Sequence, residues 1–341
     1  MTHFSFPEPS TPATPQAHAK ERRLSWNGVG LPPGMRLTPG DLRVVDILTR
    51  YGVASHQMIQ THVYGDVPRT TTRRLSYLQD AQLITPNRER EPVHGRLYAA
   101  TTRATRMAYE NGWTLTHLTP YTIPTSSDLT HRLALTDVGI QHEEQGFPVV
   151  TEREIRAAER MSSLDASREL AKRVRVTRPA RTSPPGERPH ALAIPTRHGL
   201  HYPDMVIGAE DVGWAVEVEL TAKDDSRVRQ TLSAYTNAGN LAGCLWLVSG
   251  KAREQLVGPR LNGQGRKVPG LLYERPGHHA KSLELTDRGV QYALDKRELG
   301  RVGAHLTKTT WEHERVRWQE DARGKTAGTG FQHWYLAARR H

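Results

Sequence analysis

Residues 68–83 read PRTTTRRLSYLQDAQL, and this stretch decides the fold of the N-terminal third of the chain. Pro68 suits the first position of a helix, and Leu75 and Leu78 recur at helical spacing, so we expect a helix with one buried side. Its first turns carry the basic and hydroxyl side chains of residues 69–74. The stretch therefore predicts a helix whose start is exposed and positively charged.

Two shorter patterns predict further helices ahead of this stretch. Thr38 followed by Pro39 is a favourable helix start, and apolar residues at helical spacing continue from there towards Gly52. A second, short helix is expected to begin after Ser55. The N-terminal region is therefore expected to contain three helices in succession.

Two extended segments follow the third helix, at 83–88 and 96–100. The connection between them contains a proline and a glycine and suits the tip of a β-hairpin. Three helices followed by a hairpin is the element order of a winged helix-turn-helix, in which the third helix enters the major groove of DNA. We therefore interpret residues 37–115 as a winged helix-turn-helix.

Basic and hydroxyl side chains cluster at both parts of this unit that would face DNA. Arginine can pair with a guanine edge, and threonine can contact phosphate oxygens or thymine methyl groups. A solvated charged face and a protein-interaction module are the alternative interpretations. The candidate DNA-binding residues are Arg69, Thr70, Thr71, Thr72, Arg73 and Arg74 on the helix, and Arg88, Arg90, His94 and Arg96 on the hairpin.

Bulk composition agrees with a polyanionic partner. The 341 residues include 47 Lys and Arg against 36 Asp and Glu, a formal charge of +11. The longest apolar run, at residues 241–248, is too short to span a bilayer, so no membrane partner is expected. Cys244 is the single cysteine, which excludes a disulfide framework and a cysteine-ligated zinc site. We expect a cytoplasmic protein that binds double-stranded DNA.

A group of acidic residues lies in the second half of the chain. Asp204 follows Tyr202 and Pro203, and residues 216–220 read VEVEL. Because alternate strand residues share a face, Glu217 and Glu219 are expected to project together. Mg²⁺ would satisfy such carboxylates and could activate water against a phosphodiester. The alternative is the polar face of an edge strand, with Lys223 as a salt-bridge partner.

This acidic group resembles the motifs of the PD-(D/E)xK nuclease superfamily. The resemblance implies that Asp204 and Glu217 hold the metal. Glu219 stands where the family has lysine, and Lys223 is available as a migrated lysine. The acid that a first helix supplies in many members corresponds to Glu152.

Three further features lie near these motifs. The first two have simple structural interpretations, and the third is a loose resemblance. Glu154, with Thr151, forms a predicted helix capping box. His198 and His201 flank the Pro-Asp motif and are interpreted as loop residues. Gln230 and Tyr235 are loosely similar to a Gln/Tyr pair in some branches of the superfamily.

The combination of both halves resembles the replication-relaxation family of actinobacterial plasmids, phages and integrated elements. The resemblance extends over residues 37–250 and includes TEREIR at 151–156, HYPD at 201–204 and VEVELTAK at 216–223. It implies DNA binding in the replication or maintenance of a mobile element. It does not imply a particular reaction.

The expected fold class is α/β and multi-domain, with a winged helix-turn-helix followed by a restriction-endonuclease-like core. We divide the chain into a flexible arm at 1–36, the winged helix-turn-helix, a linker and connecting helix at 116–150, a nuclease-like domain at 151–258 with an exposed insertion at 162–190, and a basic C-terminal extension at 259–341.

Three functions are compatible with this organisation. The first is a DNA-binding accessory protein whose nuclease-like domain does not cut. The second is a Mg²⁺-dependent endonuclease directed by the winged helix. The third is a transcriptional regulator whose C-terminal domain forms a homodimer.

Overall fold

A computed structural model describes most of the chain from Arg36 to Leu241, together with shorter segments beyond it. The described residues are 36–87, 95–123, 128–144, 146–160, 164–177, 190–196, 199–209, 212–238, 240, 241, 243–248, 252, 255, 260–261, 267–268, 290–293, 305–307 and 334–337. They form two compact units, the first ending at Arg160 and the second beginning at Leu164. Most of the predicted arm, residues 1–35, lies outside the described part.

The first unit contains six described helices and four short strands. The helices are α1 (Pro39–Tyr51), α2 (His56–Val63), α3 (Pro68–Asp80), α4 (Thr102–Glu110), α5 (Asp128–Glu144) and α6 (Glu152–Arg160). The strands are β1 (Val53–Ser55), β2 (Ile84–Pro86), β3 (Leu97–Ala100) and β4 (Val149–Thr151). Strand β3 lies between β1 and β2 and pairs antiparallel with both. The order of the first elements is therefore helix, strand, helix, helix, strand, strand.

Side-chain caps explain where three of these helices begin. Thr38 forms a capping box with Asp41 at the start of α1. Ser55 accepts a hydrogen bond from the amide of Met58 at the start of α2, and Thr101 accepts one from the amide of Ala104 at α4. Each hydroxyl satisfies an amide that a helix leaves without a partner. The predicted starts of α1 and α2 are confirmed.

Helix α5 packs into the core of the first unit, which differs from the linker and connecting helix expected at 116–150. Leu129 and Leu133 join Val53 and Leu97 in one buried apolar cluster. The hydroxyl of Thr136 donates to the carbonyl of Val53 at 2.7 Å. This helix is therefore part of the unit that contains α1 to α4.

A buried charge network ties α1 to α5 and α6. Arg50 is fully buried and pairs with Glu143 of α5 and, at 3.1 Å, with Glu154 of α6. Arg43 pairs with the second oxygen of Glu143 at 2.7 Å. Thr151 and Glu154 exchange capping hydrogen bonds, so the predicted capping box is confirmed. Because these contacts join α1 to both α5 and α6, the first compact unit extends past residue 150, where we expected a domain boundary.

The second unit combines helices and strands. It contains the helices α7 (Leu164–Arg173) and α8 (Asp225–Asn237). Its strands are β5 (Ile194–Thr196), β6 (Gly199–His201), β7 (Met205–Ala209), β8 (Val212–Glu219), β9 (Gly243–Val248), β10 (Arg260–Leu261), β11 (Lys267–Val268), β12 (Val290–Ala293), β13 (His305–Thr307) and β14 (Trp334–Ala337).

Strands β7, β8 and β9 form the part of the sheet that carries the acidic residues. Strand β7 pairs antiparallel with β8, and β8 pairs parallel with β9 after helix α8. Short antiparallel pairs are formed by β5 with β6 and by β10 with β11. The α/β class is thus confirmed.

Two predictions about this unit differ from the structure. Helix α7 occupies the first part of the expected exposed insertion at 162–190, and Leu170 in this helix and Val174 and Val176 just after it are buried. Residues 178–189 of that insertion lie outside the described part. Within the C-terminal extension, β14 pairs with β9 and β12 with β14, so these segments continue the sheet. The described helices include none long and apolar enough to cross a membrane.

Candidate nucleic-acid interface and carboxylate cluster

The outer face of α3 carries three exposed polar side chains. Arg69, Thr72 and Arg73 are exposed and lie at the i, i+3 and i+4 positions of one helix face. Leu75 and Leu78 are buried on the opposite side. Neither arginine has an ion-pair partner among the described residues. The helix therefore presents two guanidinium groups to solvent, with exposed Thr72 between them and Thr70 half-buried beside them.

Two of the predicted contact residues on α3 face the protein instead. Thr71 is fully buried, and its hydroxyl donates to the carbonyl of Val67 at 2.9 Å. Arg74 donates to the carboxylate of Asp41, and its guanidinium stacks on the ring of Tyr77, 4.4 Å from the centroid. Helical rotation turns these two side chains inward while their neighbours point outward. Thr71 is too buried to contact DNA, which corrects the interpretation of this residue from sequence, and Arg74 remains partly accessible beside Asp41.

Asp41 is the acceptor that joins α1 to α3. The residue is fully buried, and its Oδ1 accepts from Arg74 Nε at 2.9 Å and from the Tyr64 hydroxyl at 3.0 Å. Thr38 donates to Oδ2 from both its amide and its hydroxyl. These bonds hold α3 at a set rotation against α1, and so determine which residues of α3 reach solvent.

The hairpin part of the interface is described only at its base. Arg96 is exposed, whereas Arg88, Arg90 and His94 lie outside the described residues. His56, which sequence reasoning did not select, lies between α3 and the hairpin. Its Nε2 is 3.3 Å from the hydroxyl of Thr72, and its ring centroid is 6.5 Å from that of Tyr98. Its place directly after the Ser55 cap is the signal that could have identified it.

In the second unit, the buried carboxylate of Glu217 is at the centre of a hydrogen-bonded group. Glu217 is 3% exposed on β8. Its Oε1 accepts from the hydroxyl of Tyr235 on α8 and lies 2.8 Å from Nε2 of His201 on β6. Asp204 Oδ2 accepts from the amide of Val218 at 2.9 Å. The structure thus brings His201 and Tyr235 to the predicted acid.

The protonation of this group follows from its burial and charges. Burial lowers the pKa of His201, but the carboxylate of Glu217 outweighs this effect, and the pKa is raised overall. Burial raises the pKa of Tyr235 well above its ordinary value, and Glu217 raises it further. The tyrosine therefore remains a hydrogen-bond donor.

Glu219 and Lys223 form a second, separate pair. The amine of Lys223 donates to Glu219 Oε1, and the amide of Lys223 donates to Gln255 Oε1 at 3.0 Å. Burial raises the pKa of Glu219 to about 7, although the neighbouring Lys223 lowers it. This pairing agrees with the salt bridge weighed from sequence. Both acids on β8 are thus held by donors of the protein.

Two other residues considered from sequence have their contacts elsewhere. Glu152 belongs to the first unit, where its carboxylate bonds to Arg132 at 2.8 Å and to Arg156 at 2.7 Å. It is an ion-pair partner within that unit. Gln230 on α8 is exposed, whereas Tyr235 of the same helix is buried beside Glu217.

The Mg²⁺ site that the resemblance implies would use Asp204 and Glu217, and one oxygen of each already accepts a hydrogen bond from the protein. Magnesium needs oxygen ligands in near-octahedral geometry. Donors from Tyr235, Lys223 and the Val218 amide occupy oxygens of Glu217, Glu219 and Asp204. No group of three or more His, Cys, Asp or Glu side chains in the described part of the chain is placed to hold a metal ion.

Comparison with known proteins identified no relative. No protein-family model matches the chain, and neither a curated protein nor a solved structure is significantly similar to it.

Proposed function

We propose that this chain is a double-stranded DNA-binding protein and that its first unit is a winged helix-turn-helix with α3 as the recognition helix. The element order helix, strand, helix, helix, strand, strand supports this proposal. The central position of β3 between β1 and β2 also agrees, because β2 and β3 are then the two strands of the wing.

The observation that carries the proposal is the outer face of α3. Arg69, Thr72 and Arg73 are exposed there, and the two arginines have no acidic partner among the described residues. A guanidinium can pair with the O6 and N7 atoms of guanine or bind a phosphate, and a threonine hydroxyl can bind a phosphate. Exposed Arg96 at the base of the hairpin adds a cation for the DNA backbone.

Salt-dependent DNA binding tests this proposal. The double variant Arg69→Ala/Arg73→Ala should lose at least about tenfold in affinity for duplex DNA, because each arginine contact to a base or phosphate contributes ~1 kcal/mol or more. If both arginines contact phosphates, the slope of log K against log salt should fall by about two. Fluorescence anisotropy across a salt series measures both quantities.

The matched control is Arg106→Ala/Arg160→Ala, which removes the same charge from two exposed positions of the first unit. This control should change affinity and slope much less. Equal losses of DNA affinity in both double variants would show that the effect comes from net charge alone. Unchanged DNA affinity of the α3 variant would contradict the role of α3 as the recognition helix.

We further propose that this binding serves the replication or maintenance of a mobile element in the cytoplasm. The support for this proposal is the resemblance to the replication-relaxation family. In this proposal the second unit contributes DNA contacts or a homodimer contact. Deletion of the gene that encodes this chain in a plasmid-bearing host tests this role. Unchanged plasmid copy number and inheritance after the deletion would contradict it.

A Mg²⁺-dependent endonuclease is the alternative function. Two observations support it. Asp204 bonds to the amide of the residue that follows Glu217, and the elements follow the order β7, β8, α8, β9. Asp204 and Glu217 each accept a hydrogen bond from the protein through a single oxygen, so the ion would bind through the other oxygen or displace that donor. We derive no catalytic step from the arrangement as it stands.

Supercoiled plasmid separates the two functions. The protein is incubated with plasmid, with and without Mg²⁺, beside Asp204→Asn/Glu217→Gln and a control, Asp165→Asn/Glu169→Gln, on exposed positions of α7. Nicking that needs Mg²⁺ and is lost only in the first variant would establish the endonuclease. Intact plasmid in all lanes, with DNA binding retained, would favour the binding protein.

A further inference from the structure

Val67 is an exposed apolar side chain at the start of α3. It is 48% exposed, and Tyr109, at 44%, is the other large hydrophobic residue with comparable exposure in the described part of the chain. Single exposed hydrophobic residues are common on protein surfaces. Val67 is distinguished by its place immediately before α3, the helix that presents Arg69 and Arg73 to solvent.

Local helix stability does not account for valine at this position. Val67 is the N-cap residue of α3 and makes no side-chain capping hydrogen bond. The N-caps of α1, α2 and α4 are Thr38, Ser55 and Thr101, and each accepts a hydrogen bond from the helix. Valine is among the least favourable N-cap residues. The residue thus contributes neither a cap nor a buried side chain.

The backbone around Val67 is held firmly. Its carbonyl accepts from the amide of Thr71 at 3.0 Å and from the hydroxyl of Thr71 at 2.9 Å. The preceding residue, Asp66, donates its amide to the carbonyl of Gln60 at 3.0 Å and accepts from the Thr61 hydroxyl at 2.8 Å. Pro68 restricts the next φ angle. The valine is therefore presented on a preorganised turn, which lowers the entropy lost on binding.

We propose that Val67 contacts the 5-methyl group of a thymine in the major groove and makes the protein selective for thymine at one position of its site. This inference rests on the proposed function of α3 as a recognition helix. The N-terminal residues of such a helix meet base edges. The thymine methyl is the apolar group that base pairs display in the major groove, and small apolar side chains contact it.

The test compares thymine with deoxyuracil, which differs from it only by the absence of that methyl group. A preferred duplex is first selected from a random-sequence pool. Each thymine in the selected duplex is then replaced in turn by deoxyuracil, and affinities are measured for the full chain. One replacement should weaken wild-type binding about fourfold, the equivalent of ~0.8 kcal/mol for one buried methyl-sized group.

Variants assign that effect to Val67. Val67→Ala should remove the discrimination between thymine and deoxyuracil at that position, whereas Val67→Ile should retain it. Tyr109→Ala, which removes the other exposed hydrophobic side chain of the same unit, should leave it unchanged. The salt slope should be the same in all three, because no phosphate contact is altered.

Each outcome bears on one proposal. Equal wild-type affinity for the thymine and deoxyuracil duplexes, discrimination that persists in Val67→Ala, or selection without any preferred sequence would overturn the role of Val67 and leave DNA binding by α3 standing. A chain that binds no duplex, or one whose binding ignores Arg69→Ala/Arg73→Ala, would overturn the proposed function itself. The wild-type comparison needs no variant, so it decides the point even if a variant fails to fold.

Discussion

Arg74 Nε lies 2.9 Å from Oδ1 of Asp41, and this contact joins α3 to the first turn of α1. The carboxylate is fully buried, whereas the guanidinium remains partly accessible and stacks on Tyr77. An arginine that belongs by sequence to a basic cluster is thus a structural partner of an acid 33 residues away. Arg74 therefore positions α3 against α1, whereas Arg69 and Arg73 lie on the outer face of α3.

Arg74→Ala should destabilise the protein by about 2–3 kcal/mol, because a buried carboxylate loses its charged donor. The variant's unfolding free energy, measured in urea, checks this value. Arg73→Ala, which removes an exposed neighbour, should change it by less than about 0.5 kcal/mol. If Arg74 acted mainly through phosphate contact, its variant would instead retain full stability and lose about one unit of salt slope.

Arg50→Met should destabilise the first unit by about 3–5 kcal/mol, because the change leaves buried carboxylates without their partner. Arg50 is fully buried between Glu143 and Glu154. Arg156→Met is the control, since that arginine also pairs with a glutamate but its side chain is 44% exposed. The control should lose less than about 1 kcal/mol. Similar losses in the two variants would show that burial does not set the contribution of Arg50.

His62 predicts a loss of stability at alkaline pH. Burial lowers the pKa of His62, but bonds to Asp137 and Glu144, each 2.9 Å long, outweigh burial and raise it from 6.5 to about 9. The folded state thus binds the proton more tightly than the unfolded state. The stabilisation is fully present below pH 6.5 and is lost as the pH rises towards 9.

Unfolding free energies of the protein and of His62→Gln, measured from pH 6 to 10, check this prediction. The difference between the two should be largest near pH 6 and should shrink as the pH rises. A difference that stays constant over this range would show that His62 has the same pKa in the folded and unfolded states.

Gly139→Ala should destabilise the protein, although alanine is normally the better residue within a helix by ~1 kcal/mol. A Cβ at position 139 of α5 would overlap the ring of Tyr51 on α1. Overpacking of this kind costs about 1–3 kcal/mol. Thermal unfolding of Gly139→Ala and of the double variant Gly139→Ala/Tyr51→Leu tests the cause. The second change should recover part of the loss, and no recovery would place the strain elsewhere.

Local patterns were sufficient for most elements of the first unit. Thr38 with Pro39, Ser55 and the leucines of α3 predicted three helices because capping and helical periodicity act over a few residues. The same logic predicted the paired strands β7 and β8 and the helix and strand that follow. Helix α7 was missed because the Arg, Pro and Ser residues near it dominated the composition of residues 162–190.

The candidate sites depended on contacts between distant parts of the chain. Periodicity alone could have shown that Thr71 points away from Arg69 and Arg73, but only packing shows that Arg74 meets Asp41. Glu217 was selected from sequence as a metal ligand on an otherwise apolar strand, and the structure buries it. Its partners His201 and Tyr235 lie 16 and 18 residues away and reach it only when β6, β8 and α8 come together.

By itself, the sequence determined the helices and strands of the DNA-binding candidate, the excess positive charge and the acidic residues of β8. Each of these follows from neighbouring residues or from composition. Tertiary structure alone decided which arginines of α3 face solvent, that α5 belongs to the first unit, and that Glu217 and Glu219 are held by donors of the protein. The physical reason is that a charge is compensated by whatever group the fold brings within hydrogen-bonding distance, however far away it lies in the sequence.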